Sequence, residues 1–521
     1  MTGRWLSWLA AELAACALLL SGCGWIGNEE PAAKSAAGHP PVVVVVFDEF
    51  PTDDLLRPDG QIDAERFPHF AELASMSTWF PNAHTVYDST FKAVPSILDG
   101  RLPKPLTAPD VRSHKPSVFH VVDRLGYRVF KVESASAVCP PAICPGARTR
   151  RPGVLPRLAG AGRPARFHHW LGAIRKRHEP AFYFQHALMP HEPWLYLPSG
   201  RQSRPAGPEP VFGVNKLPGF DDPRLSEHNH LRHLLQVGYT DHLIGELLGR
   251  LRRTGLLRRA LVIVTADHGY SFQVGVRSRR LLSERNVEEI APVPFFLKAP
   301  DQTNGRVDQS LVRNIDAVAT IADLLGDSVF YKQDGHSAFS AATRARRSFA
   351  IRTRDFAREV RLGLPEMKER RARWRRRWAR LFGTGLASRV LYGDPWAMAY
   401  RIGPHRELLG QRVASLTVRP GDGISAAIAN ASLVRHVAPR GTLTPTRVTG
   451  PLRGVAPDEH IDVAAAVNGR IEAVGRSFDL WFKDREFFSM EVPESSLHGG
   501  RNRVEVFEVL AGGALRPLGG A

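Results

Sequence analysis

The chain is 521 residues long, about three to four domain lengths, and its 43% hydrophobic and 23% charged residues exclude a disordered or fibrous protein. A formal net charge of +18 predicts attraction to polyanions: nucleic acid, an anionic membrane face or phosphate-bearing substrates. Four Cys exclude a disulfide-built scaffold and a multi-Cys zinc array, and no apolar run reaches about 18 residues without a charge, which excludes a multi-span membrane protein.

Residues 1–40 read as an address and a linker. Trp5 to Leu20 are mostly apolar behind Arg4, with Glu12 inside the run, and end in Leu20-Ser21-Gly22-Cys23. A short apolar run after a positive residue, closed by small residues, predicts a secretory signal. Leu-Ser-Gly-Cys also resembles a bacterial lipobox, which would make Cys23 the lipidated first residue. The small and polar stretch from Asn28 to His39 reads as linker.

Residues 41–345 read as an α/β catalytic domain. Five consecutive Val between Pro41 and Phe47 predict a strand buried on both faces, and it stops at Asp48-Glu49. Helical patterns follow at Ala64 to Ser75 and at Leu231 to Arg253, the second with Leu243, Leu247 and Leu251 at helical spacing. Phe182-Tyr183-Phe184 and Phe295-Phe296-Leu297 look like further strands. A second buried run, Ala260 to Thr265, stops at Asp267-His268. This alternation predicts a mostly parallel sheet with helices on both faces, whose ligands gather beyond the C-terminal strand ends. Cys139 and Cys144 flank a Pro-Pro turn and can close a small loop disulfide, a bond that persists in an oxidising compartment; a two-Cys metal clip is the other reading.

Residues 346–410 read as a basic helical linker. Lys368 to Arg380 holds eight Lys/Arg and one Glu, with Met367, Trp374, Trp378 and Leu381 on one stripe and Gly383 at the end. Two readings stand: adhesion to anionic headgroups, or a Trp stripe packed on the catalytic domain beneath a solvent-facing basic surface. Export sets nucleic acid aside as a partner. Residues 411–521 alternate apolar and polar positions between Gly-rich turns, as in Phe478 to Phe482 and Arg503 to Val509, and predict a β-sandwich-like accessory domain. No signal for an oligomeric state is present.

The two acidic pairs, Asp48-Glu49 and Asp267-His268, supply carboxylate oxygens and an imidazole that suit one divalent ion, Zn²⁺ or Mn²⁺, with Ca²⁺ also possible on oxygen ligands. The segment Tyr87-Asp-Ser-Thr90-Phe-Lys92-Ala-Val-Pro95-Ser-Ile-Leu-Asp-Gly100 then carries a family signature. The stretch from Val42 to about Gly326 resembles the alkaline phosphatase and sulfatase superfamily, most of all its phosphoethanolamine and phosphoglycerol transferase branch. The resemblance implies that Thr90 is the nucleophile and, with Asp48, Glu49, Asp267 and His268, a metal ligand, that it attacks phosphorus, and that a phosphothreonine intermediate is released to water or an acceptor. Sulfatases place a Cys or Ser there, oxidised to formylglycine within Cys-x-Pro-Ser-Arg; Thr cannot give that aldehyde. His191 and, second, His186 match a His-bearing segment that contacts the substrate phosphate or protonates the leaving group. No His lies between His268 and His336, where some transferase relatives carry one. Arg277, Arg279 and Arg280 stand there instead; Arg277 and Arg280, with Lys92, are read as binding an anionic substrate. The expected activity is phosphate-ester hydrolysis or transfer at a membrane surface or cell envelope. The alternatives are sulfate-ester hydrolysis without formylglycine, and a non-catalytic envelope-binding protein.

Overall fold

The computed structural model describes residues 38–147, 162–205, 221–276, 278–429, 431–456, 459–480 and 485–519. Cys23, Arg277 and the segment expected as a secretory signal lie outside them.

The five-valine run is the centre of the molecule. β1 (Val42–Asp48) lies in a seven-stranded sheet with β2 (Thr78–Trp79), β3 (Arg128–Val132), β4 (Ala181–Pro190), β5 (Leu261–Ala266), β6 (Phe295–Lys298) and β7 (Arg306–Val307), in the order β3-β4-β1-β5-β6-β2-β7. β1 runs parallel to β4 and β5, and β6 is antiparallel to β5. Because successive side chains point to opposite faces, Val43, Val45 and Phe47 enter one apolar core while Val42, Val44 and Val46 enter the other. A run apolar at every position is what such a two-sided strand requires.

Helices cover both faces. α1 (Pro68–Ser75), α2 (Thr90–Asp99), α3 (Val118–Arg124), α4 (Arg163–Ala173), the 31-residue α5 (Pro223–Arg253) and α6 (Ala317–Leu324) alternate with the strands. α5 opens with Asp222 accepting from the Arg224 and Leu225 amides and Pro223 at its first position; its Leu243, Leu247 and Leu251 join the first core. α2 sends Ile97 into the second and ends at Gly100, whose φ of +70° favours glycine.

The chain beyond 345 stays on this body. A hairpin of β8 (Ser348–Arg352) and β9 (Glu359–Gly363) leads into α7 (Leu364–Phe382) and α8 (Gly385–Tyr392). Trp374, Trp378 and Phe382 are buried in the first core around His230, the packed arrangement of the two weighed for this helix. Among the described residues no helix is long and apolar enough to cross a membrane.

The C-terminal part is antiparallel. One sheet orders β10 (Ser425–Ala426), β12 (Arg447–Arg453), β16 (Arg485–Glu491) and β15 (Phe478–Leu480); a second orders β14 (Arg470–Arg476), β13 (Asp462–Val467), β18 (Val504–Val509) and β19 (Leu515–Pro517); β11 (His436–Val437) pairs with β17 (Gly500–Arg501). Val448 and Phe488 of the first meet Val463, Ala465 and Val506 of the second. The second sheet's other face, Ala464, Ala466 and Phe507, packs on Leu408 and Leu409. The architecture is therefore a mixed, mostly parallel sheet with helices, followed by antiparallel sheets.

Candidate active site

β1 lies between β4 and β5 although β4 and β5 follow it in the chain, so the loops leaving these three strands diverge and open a crevice at their C-terminal ends. Asp48 and Glu49 leave β1, His186 and His191 come from β4 and its exit, Asp267 and His268 leave β5, and α2 points its first residue, Thr90, into the same place. All are buried.

The Thr90 hydroxyl lies 3.3 Å from Asp48 Oδ1 and 3.2 Å from His268 Nε2. His268 Nδ1 faces the Gly269 carbonyl at 2.8 Å. A carbonyl only accepts, so Nδ1 carries the proton and Nε2 turns a lone pair to Thr90. Burial, reinforced by Arg280, holds this imidazole down to about 3. Glu49 has a left-handed backbone, φ +62°, at a cost of roughly 1 kcal/mol for a non-glycine residue. Its amide donates to Asp267 Oδ1 (3.2 Å), and its carbonyl meets His233 Nε2 (3.0 Å), whose Nδ1 lies 3.0 Å from Asp54. The strained residue is thus held from two sides.

Three carboxylates share this dry space. Burial, then the charges of Asp267 and Glu49, pushes Asp48 well above the usual carboxylate range. Burial pushes Asp267 up to about 7. Burial would raise Glu49 too, but Arg279, His191 and Arg280 hold it well below its ordinary value; Arg279 Nε reaches Glu49 Oε1 at 2.7 Å. Glu49 Oε2, Asp267 Oδ2 and both ring nitrogens of His186 are buried without a hydrogen-bond partner. Acceptors left bare in a low-dielectric site need protons or a cation. Two sets have their ligand atoms within 4.8 Å of one another: Asp48, His186 and Asp267; and Asp48, Glu49 and His191. The donor chemistry fits a divalent ion of the zinc or manganese type.

His268 falls outside both sets, and its lone pair meets the Thr90 hydroxyl instead. His186, expected to act on the substrate, stands 3.7 Å from Asp48 and joins a ligand set. His191 Nδ1 faces the Glu192 carbonyl at 2.6 Å, which leaves its Nε2 to accept from Arg279 at 3.3 Å. In that tautomer Nε2 carries a lone pair, and His191 also stands in the second of the two sets. Lys92 does not face the site. Its ammonium donates to the carbonyls of Lys104, Pro105 and Thr107, because two residues along a helix from Thr90 is the far side. Arg280 is one-quarter exposed beside Glu49, whereas Arg279 is buried between Glu49 and Glu192. Cys139 and Cys144 are joined as a disulfide.

Two contributors had no sequence signal. Arg354, from the β8–β9 hairpin, holds Asp88 two residues before Thr90 and lies close enough to help depress His268. His233 is one of several His buried on α5, and nothing in their spacing singles it out.

The Sulfatase family model matches residues 165–327, a stretch holding His186, His191, Asp267 and His268. The match takes in under a third of the chain. The matched stretch lies within the mixed-sheet body. The chain is 31% identical to arylsulfatase K of Bos taurus over 99 residues, 19% of this chain and 18% of that one. It is 25% identical to an endo-4-O-sulfatase of Bacteroides thetaiotaomicron over 164 residues, 30% of this chain and 32% of that one. The chain thus spans less than a third of the length of these curated relatives. Among solved structures, a phosphonate monoester hydrolase from Silicibacter pomeroyi aligns at 19% identity and TM-score 0.41 over 60% of this chain and 79% of that one.

Proposed function

We propose that this chain is an exported, divalent-metal-dependent hydrolase or transferase of phosphate esters that uses Thr90 as its nucleophile. The observation that carries the reading is the Thr90 hydroxyl set between Asp48 Oδ1 and the lone pair of His268 Nε2, beside buried acceptors with no partner of their own. A divalent cation in that acceptor set would balance the three carboxylates and favour loss of the Thr90 proton. The chain's own residues divide the remaining work. Thr90 Oγ forms the bond to phosphorus as the ester oxygen leaves, and the hydroxyl proton passes to Asp48 Oδ1, towards which the hydroxyl donates. Arg280, the more open arginine, meets the anionic group. Water, or an acceptor hydroxyl or amine, then releases the phosphoryl group from Thr90. The Cys139–Cys144 disulfide supports export, since such a bond persists in an oxidising compartment.

The Sulfatase match over residues 165–327 favours a second reading, hydrolysis of sulfate esters, in which a Thr nucleophile would replace formylglycine. One assay separates the two. Purified protein is given bis-p-nitrophenyl phosphate or p-nitrophenyl sulfate, and its intact mass and bound metal are measured. Turnover of the phosphate ester alone, a covalent phosphoryl adduct, and loss of both in Thr90→Ala with unchanged circular dichroism are expected. Retained turnover in Thr90→Ala refutes the nucleophile, and turnover of the sulfate ester alone moves the assignment to the second reading.

A further inference from the structure

The end of the basic linker carries a surface that neither reading of the active site uses. Among the described residues nine large hydrophobic side chains are exposed, and four of them, Leu386, Val390, Leu391 and Tyr392, fall on α8, with Val390 75% and Leu391 65% accessible. Scattered singly, such residues need no explanation; four on one eight-residue helix do. α8 follows α7 directly through Gly383 and Thr384. The outward face of α7 presents Lys368, Arg376, Arg377 and Arg380, all exposed; among the described residues no ion pair takes up any of the four, and Arg377 lies over the Trp378 ring at 4.9 Å. The Trp stripe of this helix is buried in the protein core, so it is not available to lipid.

From this juxtaposition we propose that α8 and the outer face of α7 form a docking surface for an anionic lipid bilayer. Its apolar tip enters the headgroup boundary and the unpaired cations engage the anionic headgroups around it. The chemistry of interfacial binding is this combination of a small apolar insertion with a cationic rim. Charge argues for lipid over a second copy of the chain. A two-fold interface presents the same patch from both sides, so self-association would bring the α7 cations of one copy against those of the other, and the two exposed acids of that helix, Glu366 and Glu369, are each already paired with an arginine one turn on. The inference is independent of the chemistry at Thr90.

The test uses the full chain in vesicle co-sedimentation, with phosphatidylcholine alone or with about 30% phosphatidylglycerol. The mixed vesicles are expected to bind at least about tenfold more protein, and high salt to remove most of that difference. Val390→Glu/Leu391→Glu and Arg376→Glu/Arg380→Glu are each expected to lower binding about tenfold or more while leaving the thermal transition unchanged, because all four side chains are exposed. Equal binding to both vesicle types overturns the proposal, as does unchanged binding of both variants. Concentration-dependent dimerisation abolished by the same substitutions, without vesicle binding, overturns it in favour of a contact between copies.

Discussion

Asp53 ties α7 to the loop that leaves β1, and removing it tests how that helix is held. The carboxylate is buried and takes a two-pronged contact from Arg371, Nε to Oδ2 at 2.6 Å and Nη2 to Oδ1 at 3.2 Å, and a third from Arg375 at 2.6 Å. Asp53→Ala leaves two guanidinium groups without their carboxylate. Removing one partner of a buried pair costs about 3–5 kcal/mol. Arg371 would keep its bond to the Pro81 carbonyl, and Arg375 is 12% exposed and can turn to water, so the lower end, about 3 kcal/mol, is expected. Urea unfolding followed by tryptophan fluorescence reads it, since Trp374 and Trp378 report directly on the docking of α7. Asp53→Ala/Arg371→Met should cost less than Asp53→Ala alone, because it removes a stranded cation and keeps apolar volume. The loss should barely change with salt, unlike that of a surface pair. A loss under about 1 kcal/mol, or one erased by salt, would refute a buried helix-locking pair.

Gly269→Ala should drive its methyl into the Glu289 carbonyl and shift the turn bearing Asp267 and His268; a loss of about 2 kcal/mol in unfolding free energy together with lower kcat is expected, and a silent substitution would contradict that packing. Asp241 is pushed up to about 7 by burial despite accepting from the His69 and Phe70 amides. The folded state then holds a proton that the unfolded state has released above about pH 4, so stability should fall as pH rises from about 4 to 7 and level off beyond. Asp241→Asn, which keeps an acceptor oxygen, should flatten that slope in urea titrations across the range; an unchanged slope counts against the assignment. Chelation should lower the thermal midpoint and added Zn²⁺ or Mn²⁺ restore it, with about 2.7 kcal/mol gained at a hundredfold excess over Kd. Indifference to both chelator and metal would argue that protons alone quiet the three carboxylates.

What could be read in the sequence was whatever lies in consecutive residues. The valine run declares β1 because a strand buried on both faces has no polar position to break it, and Asp48 and Glu49 are legible because they end that run. Thr90 was reached through a resemblance over the whole Tyr87 to Gly100 segment, and not through its own spacing. Lys92 misled because nearness in sequence is not nearness in space: a helix turns it away within two residues. Arg280 and Arg279 are neighbours with opposite surroundings, one facing the crevice and one sealed between two carboxylates, a distinction only the folded loop draws. Arg354 and His233 reach the site from the β8–β9 hairpin and from α5, and no local pattern marks a contact of that kind. In the C-terminal part the alternation of Arg503 to Val509 marked a strand, whereas Ala464 and Ala466 became interior on the face away from the other sheet because Leu408 and Leu409 cover it.

The left-handed bend at Glu49 also fixes an order of events during synthesis. The amide that needs Asp267 precedes it by 218 residues, and the carbonyl that meets His233 precedes it by 184. In the loop just beyond, Asp53 meets Arg371 and Arg375, 318 and 322 residues further on. A chain emerging N-terminus first therefore carries its most adhesive segment, the five valines, for about 140 residues before the first strand that pairs with it, β4, exists. Contacts this distant form late, and an uncovered strand of that composition invites pairing with other chains. The same separation means that Glu49 is not fixed from both sides until residue 267 has been made, and Asp53 does not meet its arginines until residue 371 has.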